Sequence, residues 1–122
     1  MATILVVDSE KDVLNSIKSI LVKAGHRVAV STDGNHAVEL AENEPFDLLL
    51  IDLQNTDIDD SKAIHRIRYI DNNIAIIAMY EDEYTETPPN QKMTNLDIID
   101  ATIRKPINQT NLLNTVDQIL KQ

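Results

Sequence analysis

The chain is predicted to be an α/β domain, a five-stranded parallel sheet with helices on both faces, and three observations carry that prediction. Short apolar runs recur along the 122 residues with little polar alternation, as strands buried on both faces require. Between them lie segments whose apolar residues repeat at helical spacing. Two of the runs, Ile4 to Val7 and Leu48 to Ile51, end abruptly in the carboxylates Asp8 and Asp52. In an open parallel sheet that C-terminal edge is where ligands and chemistry collect.

Taken in order, Thr3 to Val7 is β-branched and apolar, a buried strand. Asp8 or Ser9 is placed to cap a helix carrying Val13, Ile17, Ile20, Leu21 and Ala24 on one side. Gly25 suits the left-handed position just past its end. Arg27 to Val30 is a short strand, and Thr32-Asp33-Gly34 a turn. A helix from about Asn35 to Asn43 sets Ala37, Val38, Leu40 and Ala41 together, and Pro45 stops it.

After the Asp52 strand comes a polar loop, Gln54 to Asp60. Asp60 or Ser61 then caps a helix that turns Ala63, Ile64 and Ile67 inward. Ile74 to Met79 is a continuous apolar strand, and Glu81 to Gln91 an exposed acidic loop holding Pro88 and Pro89. The double proline forbids a helix running through from Tyr80, so the fourth helix is expected to be short or disrupted, with Leu96 to Ile99 as its remnant. Ala101 to Arg104 is the last strand. The final helix, from about Asn108, buries Leu112, Leu113, Val116, Ile119 and Leu120.

Five strand–helix alternations and right-handed crossovers favour the flavodoxin-like strand order 2-1-3-4-5. The first and third strands are then neighbours at the topological switch point. Asp8 and Asp52 lie side by side there, with Lys105 approaching from beyond the fifth strand. Two carboxylates and a lysine around one cleft suit magnesium and a phosphoryl group. Magnesium takes hard oxygen ligands, an aspartate can attack phosphorus, and an ammonium offsets charge on the transferring group.

Composition narrows the function further. The length fits one domain spanning 1–122, and 43% hydrophobic with 25% charged residues fits a soluble globular protein. A net charge of −9 argues against nucleic-acid or anionic-membrane partners and suits a cation or a basic protein surface. The chain has no cysteine, which excludes disulfides, thiol catalysis and Cys-ligated zinc. His26, His36 and His65 are scattered without metal-ligand spacing and read as surface residues. Neither a signal peptide nor a membrane-length apolar stretch is visible, so a cytoplasmic protein is expected.

Along essentially its whole length the chain resembles the receiver domains of two-component response regulators. Four segments carry the resemblance: Ile4-Leu5-Val6-Val7-Asp8-Ser9-Glu10, Thr32-Asp33-Gly34 with Ala37-Val38-Glu39-Leu40, Asp47 to Leu53, and Ile103-Arg104-Lys105-Pro106. By that resemblance Asp52 is the phosphoacceptor, Asp8 an acid of the metal site and Lys105 the phosphate partner, with the Gln54 backbone carbonyl a further magnesium ligand. The phosphodonor is a sensor histidine kinase or a phosphotransfer protein, and the output partner a protein that the sequence does not name. In the family a cis peptide commonly precedes the proline after the lysine.

The departures are as informative. Ser9 stands where the family has a directly ligating acid, so magnesium affinity is expected to be weak. Glu10 or Asp57 is the nearest substitute for that acid. Ala78 is read at the place of a hydroxyl that contacts the phosphate, and Thr102 at the place of an aromatic that moves on activation. Thr56 and Asp57 replace the usual proline and glycine after the phosphoacceptor. Two readings follow: a phosphorylatable receiver with an impaired metal site and switch, or a pseudo-receiver whose protein contacts do not depend on phosphorylation. An enzyme or flavin carrier on the same fold is disfavoured, since Gly25 and Gly34 are the only glycines and no Gly-rich phosphate loop exists. The chain is a stand-alone regulator or a piece of a longer protein.

Overall fold

The structure is a computed structural model in which residues 1–53, 58–81 and 98–121 are described, 58–61 by backbone alone. Its order is β1 (Thr3–Val7), α1 (Lys11–Lys23), β2 (Arg27–Ser31), α2 (Gly34–Asn43), β3 (Leu48–Asp52), α3 (Ile58–Ile70), β4 (Ala75–Glu81), β5 (Ala101–Lys105) and α4 (Gln109–Leu120). The sheet runs β2-β1-β3-β4-β5 with every neighbouring pair parallel. The predicted flavodoxin-like order is therefore the observed one.

Strand alternation divides the core in two. Side chains two residues apart share a face of the sheet. Ile4 and Val6, Leu48 and Leu50, Ile77 and Met79, and Ile103 pack with Leu14, Ile17 and Leu21 of α1 and Leu112 and Val116 of α4. Leu5 and Val7, Leu49 and Ile51, and Ile76 pack on the other face with Ala37 and Val38 of α2 and Ala63, Ile64 and Ile67 of α3. β3 is buried along all five residues, the signature of a central strand covered on both sides.

Helix ends are where local chemistry departs from the sequence expectation. The cap of α1 is Glu10, not Asp8 or Ser9, because the Asp8 carboxylate accepts the Glu10 N–H at 2.9 Å and uses up that turn ahead of the helix. The buried stripe of α1 is centred on Leu14, Ile17 and Leu21, with Val13 and Ile20 at its margins and Ala24 exposed past the end. Gly25 takes φ +98°, the left-handed closure expected of it. Gly34 is the first residue of α2 rather than part of the turn, and Asp33 caps that helix through the His36 N–H at 2.8 Å.

α3 begins at Ile58, so Asp60 and Ser61 lie inside its first turn and do not cap it. Acids in a first turn are favoured by the helix dipole. Asn108 caps α4 through the Asn111 N–H. The loop containing Pro88 and Pro89 and the start of the Leu96 to Ile99 segment lie outside the described residues, and with them the expectation for a short or disrupted fourth helix. Ile98 and Ile99, which are described, pack against the α2–α3 side of the core ahead of β5.

Candidate functional site

The C-terminal edge of the sheet gathers three charged residues by alternation. Asp8 follows Val6, Asp52 follows Leu50 and Lys105 follows Ile103, each two residues past a side chain on the α1–α4 face. All three are buried, Asp8 to 1% exposure, Asp52 to 6% and Lys105 to 7%. Burial of this kind is tolerated only where charges are paired. The Lys105 ammonium donates to Asp8 Oδ2 at 2.6 Å and lies 3.4 Å from Asp52 Oδ2. Asp8 is held further by its own N–H donating to the Ser31 carbonyl at 3.1 Å and by Oδ1 accepting from Glu10 N–H. Burial alone would pull the Lys105 pKa down, yet the Asp8 hydrogen bond and the charges of Asp52 and Asp8 outweigh it and leave it raised. The lysine is therefore a fixed cation bridging two carboxylates.

Beside this trio a cleft of about 610 Å³ opens between the start of α1 and the turn after β5. Val13, Ile17, Pro106 and Ile107 form its apolar wall, with Glu10, Asp12 and Glu81 at the rim. Lys105 is part of that wall. The Lys105–Pro106 peptide is cis.

Other residues singled out from the sequence fall elsewhere. Ser9 is exposed at the turn after Asp8. Gln54, Thr56 and Asp57 lie outside the described residues. The register corrects one position. Ala78 pairs with Ile51, and the residue level with Asp52 is Met79. Because side chains alternate across a strand, a one-residue slip moves a side chain to the opposite face. Met79 shares the Asp52 face with Ile77, while Ala78 points the other way and pairs across β5 with Thr102. A thioether, like a methyl, has no hydrogen to donate, so the position beside Asp52 still lacks a hydroxyl. Thr102 is exposed on the outer face of β5.

Two contacts escaped the sequence reading. Arg104 Nε donates to the Tyr80 hydroxyl at 3.3 Å, and the guanidinium carbon stands 5.5 Å from the ring centroid. Arg68, near the end of α3, donates to the carbonyls of Asn72, Ile74 and Ile98 and approaches Asp100 Oδ2 at 3.5 Å. Asp100 in turn accepts the Ile76 N–H at 2.8 Å. The strand order places β4 beside β5, and the register then sets Tyr80 opposite Arg104. Nothing in the spacing of Arg68 and Asp100 announces their contact.

As for a metal, the oxygen donors suit magnesium in kind, since carboxylates are its usual protein ligands. Both Asp8 oxygens already accept hydrogen bonds, and among the described residues no group of three or more His, Cys, Asp or Glu could hold a metal ion.

Comparison with known proteins agrees with the fold just described. The family profile described as "Response regulator receiver domain" matches residues 4–117. Protein PilH of Pseudomonas aeruginosa is 26% identical over 123 residues, covering 98% of this chain and 98% of that protein. Transcription factor SKN7 of Candida albicans is 34% identical over 76 residues, covering 62% of this chain and 14% of that protein. Two further curated relatives are likewise longer, the match covering 33% and 26% of their lengths. Among solved structures, the receiver domain of sensor histidine kinase PA1611 from Pseudomonas aeruginosa has the same fold, with a TM-score of 0.84 at 23% identity over 99% of this chain and 98% of that one. That structure holds a magnesium ion coordinated in its active-site cleft.

Proposed function

Because the chain belongs to the response regulator receiver family, we propose that it receives a phosphoryl group on Asp52 from a sensor histidine kinase or phosphotransfer protein and passes the signal on through protein contacts. The observation that carries this reading is the buried bridge in which Lys105 meets both Asp8 and Asp52 at the sheet's edge. An Asp52 carboxylate oxygen attacks phosphorus, the bond to the donor's leaving group breaks, and an acyl phosphate remains. The Lys105 ammonium, already within reach of Asp52, offsets negative charge on the transferred group. Asp8 holds that ammonium in place.

Magnesium, when bound, would neutralise phosphoryl oxygens, held by the carboxylates of Asp8 and Asp52 and the Gln54 backbone carbonyl. With Ser9 beside Asp8 in place of an acid, this binding is weak. Chemistry by the chain itself is limited to its own phosphorylation and dephosphorylation. Its partners are proteins rather than nucleic acid or membrane, in keeping with the −9 charge, and its setting is the cytoplasm. No helix among the described residues is long and apolar enough to cross a membrane.

Incubation with a small-molecule phosphodonor and magnesium, followed by intact-mass measurement, tests the proposal. Wild type gains one phosphoryl group and Asp52→Asn gains none; a wild type that stays unmodified at millimolar magnesium overturns it. A second reading, a pseudo-receiver that binds its partner without phosphorylation, is favoured by Ser9 and by Met79 in place of a hydroxyl beside Asp52. It predicts equal partner affinity for wild type and Asp52→Asn.

A further inference from the structure

At the opposite edge of the sheet from Asp52, a groove of about 310 Å³ lies between the C-terminal ends of α2 and α3. Its floor is apolar, with Phe46 and Ile74 buried and Ile70 at the lip. Glu42, Glu44 and Asp71 form an acidic rim, and no Lys or Arg lines it. Immediately beside it, α3 raises a ridge of opposite character. Lys62, Arg66 and Tyr69 follow one another at helical spacing and are all exposed, and Ile70 stands one turn past Arg66 on the groove side. Tyr69 is 90% exposed and Ile70 42%, two of the few large apolar side chains left in solvent among the described residues. None of the ion pairs among the described residues uses Lys62, Arg66, Glu42 or Glu44.

An acidic-rimmed apolar groove adjoining a basic ridge with a protruding aromatic is complementary to itself. A two-fold axis brings the same patch on two chains face to face, so ridge meets groove twice. We propose that the chain pairs with a second copy of itself through this face, Tyr69 of each copy seated in the groove of the other and Arg66 against its Glu42 and Glu44. Tyrosine and arginine are the residue types that most often anchor such contacts. The pairing goes beyond the phosphoacceptor reading and does not depend on it.

Sedimentation velocity of the 122-residue chain from micromolar to millimolar concentration tests this, with circular dichroism to confirm that each variant is folded. Wild type moves from monomer to dimer as concentration rises, less readily in high salt. Tyr69→Ala weakens the association constant about tenfold or more, and Arg66→Glu abolishes pairing. Combining Arg66→Glu with Glu42→Arg and Glu44→Arg restores it, a rescue that no general loss of stability imitates. A wild type that is monomeric throughout overturns the proposal and leaves the groove to a different, basic partner. A dimer indifferent to Tyr69→Ala and Arg66→Glu also overturns it, placing the contact on another face.

Discussion

At Lys105, burial works against the charge while Asp8 and Asp52 work for it, and the carboxylates prevail. Removing the ammonium with Lys105→Met leaves two adjacent buried carboxylates. The expected cost is about 3–5 kcal/mol at neutral pH. Urea denaturation checks this; a midpoint equal to wild type would mean that the paired carboxylates do not need the ammonium. A raised folded pKa also means that the native state keeps a proton which the unfolded chain gives up first. The stabilisation from Lys105 is whole below the ordinary value of 10.5 and is lost as pH climbs through the higher folded value. Denaturation midpoints measured from about pH 9 to 12 should fall more steeply for wild type than for Lys105→Met, and parallel curves would refute the bridge. Ser9→Asp is expected to tighten magnesium binding at least about tenfold by adding a hard oxygen donor. An unchanged affinity by calorimetry would show that another acid already fills that role.

Among the elements, β5 is held from both ends. Its far end delivers Lys105, while residues 98–100 ahead of it are clasped by Arg68, which joins the end of α3 and the start of β4 to the Ile98 carbonyl. Arg68→Ala removes charge-assisted hydrogen bonds from partly buried carbonyls, for an expected loss of about 2–3 kcal/mol. Hydrogen exchange should quicken first along Ala101–Lys105. Protection there equal to wild type would show that β4 pairing alone sets the strand. The strands themselves were legible in the sequence because apolar runs such as Leu48 to Ile51 leave little alternative. Helix starts were less so. Asp8, Ser9, Asp60 and Ser61 are all good caps by type, and only the backbone path shows that Glu10 is the cap and that Asp60 and Ser61 lie inside α3.

Over the whole molecule, the −9 charge opposes compaction through self-repulsion. Monovalent salt screens exposed charges beyond about 8 Å at physiological strength and leaves the buried Asp8–Lys105 pair largely untouched. The urea midpoint is therefore expected to rise from low to physiological sodium chloride, and a fall would mean that surface attractions outweigh repulsion. The same topology that divides the core into two faces brings Asp8, Asp52 and Lys105 together although 97 residues separate Asp8 from Lys105.

Apolar periodicity was enough to locate the strands, and with their alternation with helices and right-handed crossovers it favoured the parallel order that brings Asp8, Asp52 and Lys105 to one edge. Register was not contained in it. Whether Ala78 or Met79 stands level with Asp52 depends on a one-residue offset between β3 and β4, to which hydrophobicity is blind because both residues are apolar and both are buried. Backbone pairing decided it. Tertiary structure likewise decided that Asp8 spends both its oxygens on Glu10 and Lys105, and that Arg68 reaches across to Ile98 and Asp100. Each of those contacts belongs to the distance between side chains in space, which the order of residues along the chain does not carry.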